Sequence, residues 1–314
     1  MYLGVDAGGT KTDAMLVAEN GERLAIGRFG PGNWEAIGVE NALTLYSHVI
    51  DDLCSQASVH PAQLRSVGWG LAGLDWPSDY ERLAPRIRSL LPYATHICVN
   101  DAFLPLRAGS TRPYGVAAIA GTGSTVAAIG LDGRQSRTFG LGGDWGDFDG
   151  AQHLTRAALR AAARTGYGIE PATLLTDELL VWAGVASIAA LAEAFSRRGS
   201  VPDVATFAPI VMRCADAGDA IAQQIICDAG RLLAQNISAM ARAVGIDAIA
   251  FDAVLAGGVA TGAVPLFLAT ITQEVQAVCP LAEISVLRRP PVIGALLLAM
   301  DAVGCLTERI QGEW

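Results

Sequence analysis

Two segments combine glycine with hydroxyl residues in a way that suits phosphate. The first reads Gly4-Val-Asp6-Ala-Gly8-Gly9-Thr10-Lys11-Thr12. Gly8 and Gly9 permit a tight turn and let backbone N–H groups approach an anion, while Thr10, Lys11 and Thr12 add side-chain donors. Asp6 precedes the turn, where a carboxylate can hold Mg²⁺ through water. An ordinary hairpin with glycine in its turn explains the same residues, and Walker A spacing is absent. The second segment, Ala120-Gly121-Thr122-Gly123-Ser124, follows the same logic. A pair of such turns can hold a polyphosphate from two sides, so the pair is more specific than either member. A third candidate is Asn100-Asp101, at the end of the apolar run THICVND. Ligands gather at strand C-termini in open α/β sheets, and an aspartate there can act as general base toward a hydroxyl. It can equally cap the helix that follows. Last, Val254-Leu-Ala runs into Gly257-Gly258. That suits close approach of a flat ligand such as adenine, or a plain strand-to-helix turn.

These residues need a frame. YLGVDA and DAMLVA are apolar runs around the first glycine turn, so a strand, turn, strand unit is predicted over Tyr2 to Val17. RLAIGRFG suggests a third strand. Leu45, Val49, Leu53 and Cys54 recur at helical spacing within 41–55. SVGWGLAG reads as a buried strand, 80–91 as a helix, and THICVND as another strand. After the polar break GSTRPYG the pattern restarts: GVAAIAGTGSTVAAIG echoes the opening unit, and two copies of one supersecondary unit suggest two related domains. Helices dominate from Ala151 to about Val244. AFDAVLAGG and ISVL are further strands, and a final apolar helix covers 293–303. Alternating strands and helices give an α/β class. The expected domains are 1–111 and 112–290, with a C-terminal helix, about 291–314, packing back on the first.

Composition excludes several classes. The chain has 314 residues, 52% hydrophobic and 17% charged, with a net charge of −9. Such a core-rich chain is far from disorder. Its acidity argues against a broad nucleic-acid surface, which needs clustered Lys and Arg. The opening residues lack the charged and apolar regions of a signal peptide. Two uncharged stretches, 113–131 and 253–272, are interrupted by Gly and Thr clusters, so buried strands joined by tight turns are expected in place of membrane spans. Cysteines 54, 98, 214, 227, 279 and 305 and histidines 48, 60, 96 and 153 show no disulfide or metal-ligand spacing. Reduced thiols in a cytoplasmic protein are the expectation.

Taken in order, the Gly-Gly-Thr turn, the aspartate about ninety residues on, the AGTGS turn and the late LAGG turn resemble the actin, hsp70 and sugar-kinase superfamily. Within it, the chain resembles the N-acetylglucosamine kinase branch of the BadF/BadG/BcrA/BcrD ATPases. GPGNW (30–34) is similar to that branch's sugar-binding loop, GLAGLD (70–75) to its small-residue strand end, and RRPPVIGALLLA (288–299) to its C-terminal helix entry. The resemblance implies an actin-like, ribonuclease H-like fold: two domains, each a mixed sheet flanked by helices, with a cleft between. It implies that Asp101 is the catalytic base. Asn33 and Asn100 would bind sugar, as would Thr122 and Gly123 on the second phosphate loop. Gly8, Gly9, Thr10, Lys11 and Thr12 would bind ATP, with Gly121, Thr122, Gly123 and Ser124. Gly257 and Gly258 would form the adenosine turn, and Asp6 would be the Mg²⁺-associated acid.

One segment departs from the pattern. Where the family has Gly-Trp-Gly, a spacer and Gly-Asp-Glu-Gly-Ser, this chain has GLGGDWGDFDGAQHLTRAAL. Aligning Gly146 to Gly150 with the acidic motif keeps the following helix in register and makes Asp147 the sugar-binding acid, with Asp144 as the competing assignment. The resemblance implies an ATP- and Mg²⁺-dependent kinase for N-acetylglucosamine, glucosamine or a related hexose, acting as a cytoplasmic homodimer without nucleic-acid or membrane partners. A broad hexokinase or glucokinase is the nearest alternative. An activator ATPase would need clustered cysteines for an iron–sulfur centre, and a sugar-sensing regulator would need a segment ahead of the first loop.

Overall fold

The structure is a computed structural model, and it describes residues 1–148, 150–197 and 201–305. The chain divides into two compact units: Met1–Pro113 with the segment from Leu287 onward, and Tyr114–Val286.

In the first unit β1 (Tyr2–Ala7), β2 (Thr12–Val17) and β3 (Arg23–Phe29) form an antiparallel meander. Helices α1 (Trp34–Ile37) and α2 (Val39–Gln56) lead to β4 (Ser66–Leu71), which pairs parallel with β1. Helix α3 (Pro77–Arg88) leads to β5 (Thr95–Asn100), parallel to β4, and α4 (Leu104–Gly109) closes the segment. The sheet order is β3-β2-β1-β4-β5. Alternation along β1 sorts its two faces. Leu3, Val5 and Ala7 join Tyr46, Val49 and Leu53 of α2 in one apolar cluster. Gly4 faces the other way.

In the second unit β6 (Gly115–Ala120), β7 (Ser124–Ile129) and β8 (Gln135–Arg137) form a second antiparallel meander. Five helices follow: α5 (Gly150–Gly166), α6 (Leu174–Ala183), α7 (Ile188–Ser196), α8 (Ala208–Asp216) and α9 (Ala220–Ala243). Then come β9 (Phe251–Ala256), α10 (Gly258–Thr261), α11 (Pro265–Val278) and β10 (Ala282–Val286). β9 is parallel to β6, and β10 to β9. The sheet order, β10-β9-β6-β7-β8, repeats that of the first unit.

The chain ends its described course in α12 (Val292–Asp301), which is apolar around its whole circumference and buried along nearly all its length. Its bed is made of glycine. A Cβ at Gly4 would strike the Leu296 backbone, and one at Gly68 of β4 would occupy the Ala295 carbonyl. Only glycine lets the helix lie this close to the sheet.

The uncharged stretch 113–131 forms the β6–β7 hairpin as expected. The stretch 253–272 differs: one strand is followed by α10 and the start of α11. Pro265 opens α11 at a first-turn position, where its missing N–H costs nothing. Among the described residues no single helix is long and apolar enough to cross a bilayer; α6 and α7, bent by 50° between them, reach that length only as a pair.

Candidate active site

The first glycine turn closes with the Gly8 N–H donating to the Lys11 carbonyl at 3.0 Å. The GPGNW loop docks on it through the Gly32 N–H, which donates to the Gly8 carbonyl at 2.9 Å. Gly32 sits so tightly that a Cβ would overlap the Thr12 hydroxyl and Ala7. Thr12 was predicted to bind ATP, but it is fully buried at the start of β2, and its Oγ1 has no partner among the described residues. Thr12 backs the loop at Gly32. Lys11 is half-exposed, and its Nζ lies 2.6 Å from Asp13 Oδ2. Asp13 also receives Arg28 at 2.6 Å. Burial alone would raise the Asp13 carboxyl, but these two cations hold it below the ordinary carboxylate range.

Asp6 stands next to the turn, and its carboxyl is pushed up to about 7. Burial is the main cause; the Asp101 and Asp13 carboxylates add to it, and Lys11 opposes. The end of β1 and the start of the turn after β5 therefore bring two carboxylates, Asp6 and Asp101, into one electrostatic neighbourhood. Such crowding of hard oxygen donors fits a divalent cation. No group of three or more metal-ligating side chains occurs among the described residues.

The segment after β4 organises the rest of this unit. The Ala72 N–H donates to the Ala7 carbonyl at 2.9 Å. The Trp34 indole donates to the Gly73 carbonyl at 2.7 Å, fixing the residue that follows Asn33. Asn33 caps α1, its Oδ1 accepting from the Glu35 N–H at 2.9 Å. Gly73 has φ +78°, and a Cβ there would crowd that same Oδ1. Asp101 opens a 3₁₀ turn, Asp101–Phe103, directly after β5. Asn100, expected to bind sugar, is buried, and its amide is engaged within the unit. Oδ1 accepts from the Ala102 N–H at 3.0 Å, while Nδ2 donates to Asp75 Oδ1 at 2.8 Å and to the Leu74 carbonyl at 3.4 Å. Asp75 and Asp79 were not singled out as site residues, although Asp75 lies in the GLAGLD run.

In the second unit the Gly121–Thr122–Gly123 turn closes with the Gly121 N–H on the Gly123 carbonyl at 2.9 Å. The first amides of α5 bind this turn: Ala151 donates to Gly121 at 2.8 Å and Gln152 to Thr122 at 3.3 Å. Gly150 has φ +55°, and a Cβ there would collide with the Gly121 and Gly123 carbonyls. Gly257, φ +91°, meets the Ala120 backbone in the same way. Glycine is required at both places. Beside the turn lies a cavity of about 400 Å³ whose walls include Thr122, Ala205, Pro209, Met212, Gly258 and Val259. Apolar walls with glycine edges suit a flat heterocycle. The contribution of α8 and the 3₁₀ turn before it, Val204–Phe207, was not legible, because Ala205, Pro209 and Met212 carry no chemistry of their own.

Ser124 is buried at the first position of β7. Asp147 is buried, and its Oδ2 accepts from the Gly142 N–H at 3.0 Å, closing the GLGGDWGD loop. Asp144 lies exposed in the 3₁₀ turn Gly143–Trp145.

A model of the BadF/BadG/BcrA/BcrD ATPase family matches residues 3–299. The N-acetyl-D-glucosamine kinase of Dictyostelium discoideum is 24% identical, over 96% of this chain and 98% of its own length. The N-acetylmuramic acid/N-acetylglucosamine kinase of Clostridium acetobutylicum is 25% identical, over 82% of this chain and 84% of its own. A solved structure from Chromobacterium violaceum, provisionally named an N-acetylglucosamine kinase, is 24% identical with a TM-score of 0.70; the match covers 95% of this chain and 98% of that one. This likeness shows the fold, two mixed sheets flanked by helices in the actin-like arrangement of sugar kinases.

Proposed function

The chain belongs to the BadF/BadG/BcrA/BcrD ATPase family, and we propose that it is an ATP-dependent sugar kinase acting on N-acetylglucosamine or glucosamine. One observation carries this reading. In the first unit the exits of β1, β4 and β5 bring together a glycine turn, a carboxylate pair and an asparagine loop, tied by the bonds Gly32 to Gly8, Ala72 to Ala7 and Trp34 to Gly73. The kinase names of the similar proteins support the same reading.

In this account Asn33 and Asp147 bind sugar hydroxyls, and Thr122 and Gly123 lie near both sugar and phosphate. Asp101 accepts the proton of the attacking hydroxyl as its oxygen bonds to the γ-phosphorus and ADP leaves. Such assistance contributes roughly 10²–10⁴-fold. Backbone donors of the two glycine turns, with Gly8, Gly9 and Thr10 on one and Gly121 to Gly123 on the other, hold phosphate oxygens. Lys11 would exchange Asp13 for phosphate. The apolar cavity beside Gly257 and Gly258 takes the adenosine. Mg²⁺ at Asp6 would neutralise phosphate charge when bound.

The test is Asp101→Asn. Asparagine caps a turn about as well as aspartate does, so the variant should fold and bind N-acetylglucosamine while kcat falls by roughly 10²-fold or more. Near-native kcat would remove Asp101 from the chemistry.

A further inference from the structure

The bend Leu74–Asp79 carries a set of buried polar contacts that no sugar or nucleotide role accounts for. Asp79 is buried, and its Oδ2 accepts two backbone donors, Asp75 N–H at 3.0 Å and Trp76 N–H at 2.7 Å. The first turn of α3 therefore clamps the backbone of Asp75. The Asp75 carboxylate in turn accepts the Asn100 amide at 2.8 Å. The orientation of that amide is fixed by its other end: Ala102 N–H is a donor, so Oδ1 must face it and Nδ2 must face Asp75. Asn100 is the residue immediately before Asp101, and its side chain caps the very turn that Asp101 opens.

We propose that Asp75 is a positioning residue for phosphoryl transfer: by holding Asn100, it sets the turn that aims the Asp101 carboxylate at the acceptor hydroxyl. The inference rests on the kinase reading above. Its chain of contacts is short and continuous. α3 holds Asp79, Asp79 holds the backbone of Asp75, Asp75 holds Asn100, and Asn100 holds the Asp101 turn. Loss of the middle link leaves the buried amide only its long 3.4 Å contact with the Leu74 carbonyl, and the turn must shift to satisfy it. Asn33 is fixed separately, through Trp34 and Gly73, so sugar binding does not pass through Asp75.

The experiment measures kcat and KM with ATP and N-acetylglucosamine for Asp75→Ala, Asn100→Ala, the double variant, Asp75→Asn and Asp101→Asn. A misaimed base costs on the order of 10²-fold in rate, so Asp75→Ala should lower kcat by about 10- to 100-fold. KM for sugar should stay within about threefold, because binding is anchored elsewhere. The double variant should be no slower than Asn100→Ala alone, since both act through one contact. Asp75→Asn keeps an acceptor oxygen and should restore most of the lost rate; it carries the test by itself should Asp75→Ala not fold. Additive losses in the double variant, a rise in sugar KM with kcat intact, or an Asp75→Asn as slow as Asp101→Asn would each overturn the proposal. Failure of the kinase reading looks different: Asp101→Asn would then keep its turnover, whatever Asp75 does.

Discussion

Asp6 holds a carboxyl where its ionised form is disfavoured, with its value pushed up to about 7 by burial and by Asp101 and Asp13. The folded protein therefore binds more protons than the unfolded chain between the ordinary carboxyl value of about 4 and about 7. Stability should fall as pH rises through that window, and Asp6→Asn should remove the fall. Melting both proteins without nucleotide or Mg²⁺ at pH 5 and pH 8 checks this; an equal gap at the two values would contradict it. A second prediction separates the two loop acids. A charge-assisted hydrogen bond contributes on the order of 1.5–3 kcal/mol, and 1.4 kcal/mol is about tenfold. Asp147→Ala should raise sugar KM by about tenfold or more, with ATP KM changing much less. Asp144→Ala should leave sugar KM within about threefold. The reverse pattern would move the sugar role to Asp144. At this scale the sequence was informative where a residue type has few uses. Gly8, Gly121 and Gly257 all lie at turns. It was least informative for Thr12 and Asn100, whose residue types do not say that both are buried, Asn100 on partners within its unit.

The elements owe their placement to glycines more than to any polar residue. Gly150 lets α5 start against the second glycine turn, giving its first amides to Gly121 and Thr122. Alanine there must take positive φ and collide with two carbonyls. Gly150→Ala should destabilise the protein by about 2 kcal/mol or more, and it should raise KM for ATP. Gly166, at the other end of α5, has open space around it. Gly166→Ala is the control and should shift stability by less than about 1 kcal/mol. A thermal melt of the two variants settles it: equal melting temperatures would mean that α5 does not depend on that contact. The long strands were legible because burial on both faces gives unbroken apolar runs, as in SVGWGL. β8 was not, being three polar residues paired only to β7. α11 was hidden because its uncharged first half reads like the strand before it. α3 starts three residues before the predicted boundary, since Trp76 and Asp79 complete its N-terminal cap and Pro77 fits its first turn.

For the molecule as a whole, the same sheet order recurs in both units. The echo between GVDAGGTKTDAMLV and GVAAIAGTGSTVAAIG appears in the structure as two hairpins of the same topology, β1–β2 and β6–β7. The turns differ in length, closing Gly8 on Lys11 in one and Gly121 on Gly123 in the other. What the sequence pattern could not show was the packing around them, because Asp75, Pro209 and Met212 matter through neighbours far along the chain. The proposed kinase reading makes one demand on the intact protein: nucleotide turnover must wait for an acceptor hydroxyl. The direct measurement is ADP release from ATP and Mg²⁺, with and without N-acetylglucosamine, with the sugar product identified by mass. The account predicts slow release alone, a rise of at least about 10²-fold with the sugar, and a phosphorylated sugar formed one for one with ADP. Release that is equally fast without sugar, with no phosphorylated product across a panel of hexoses and amino sugars, would contradict it.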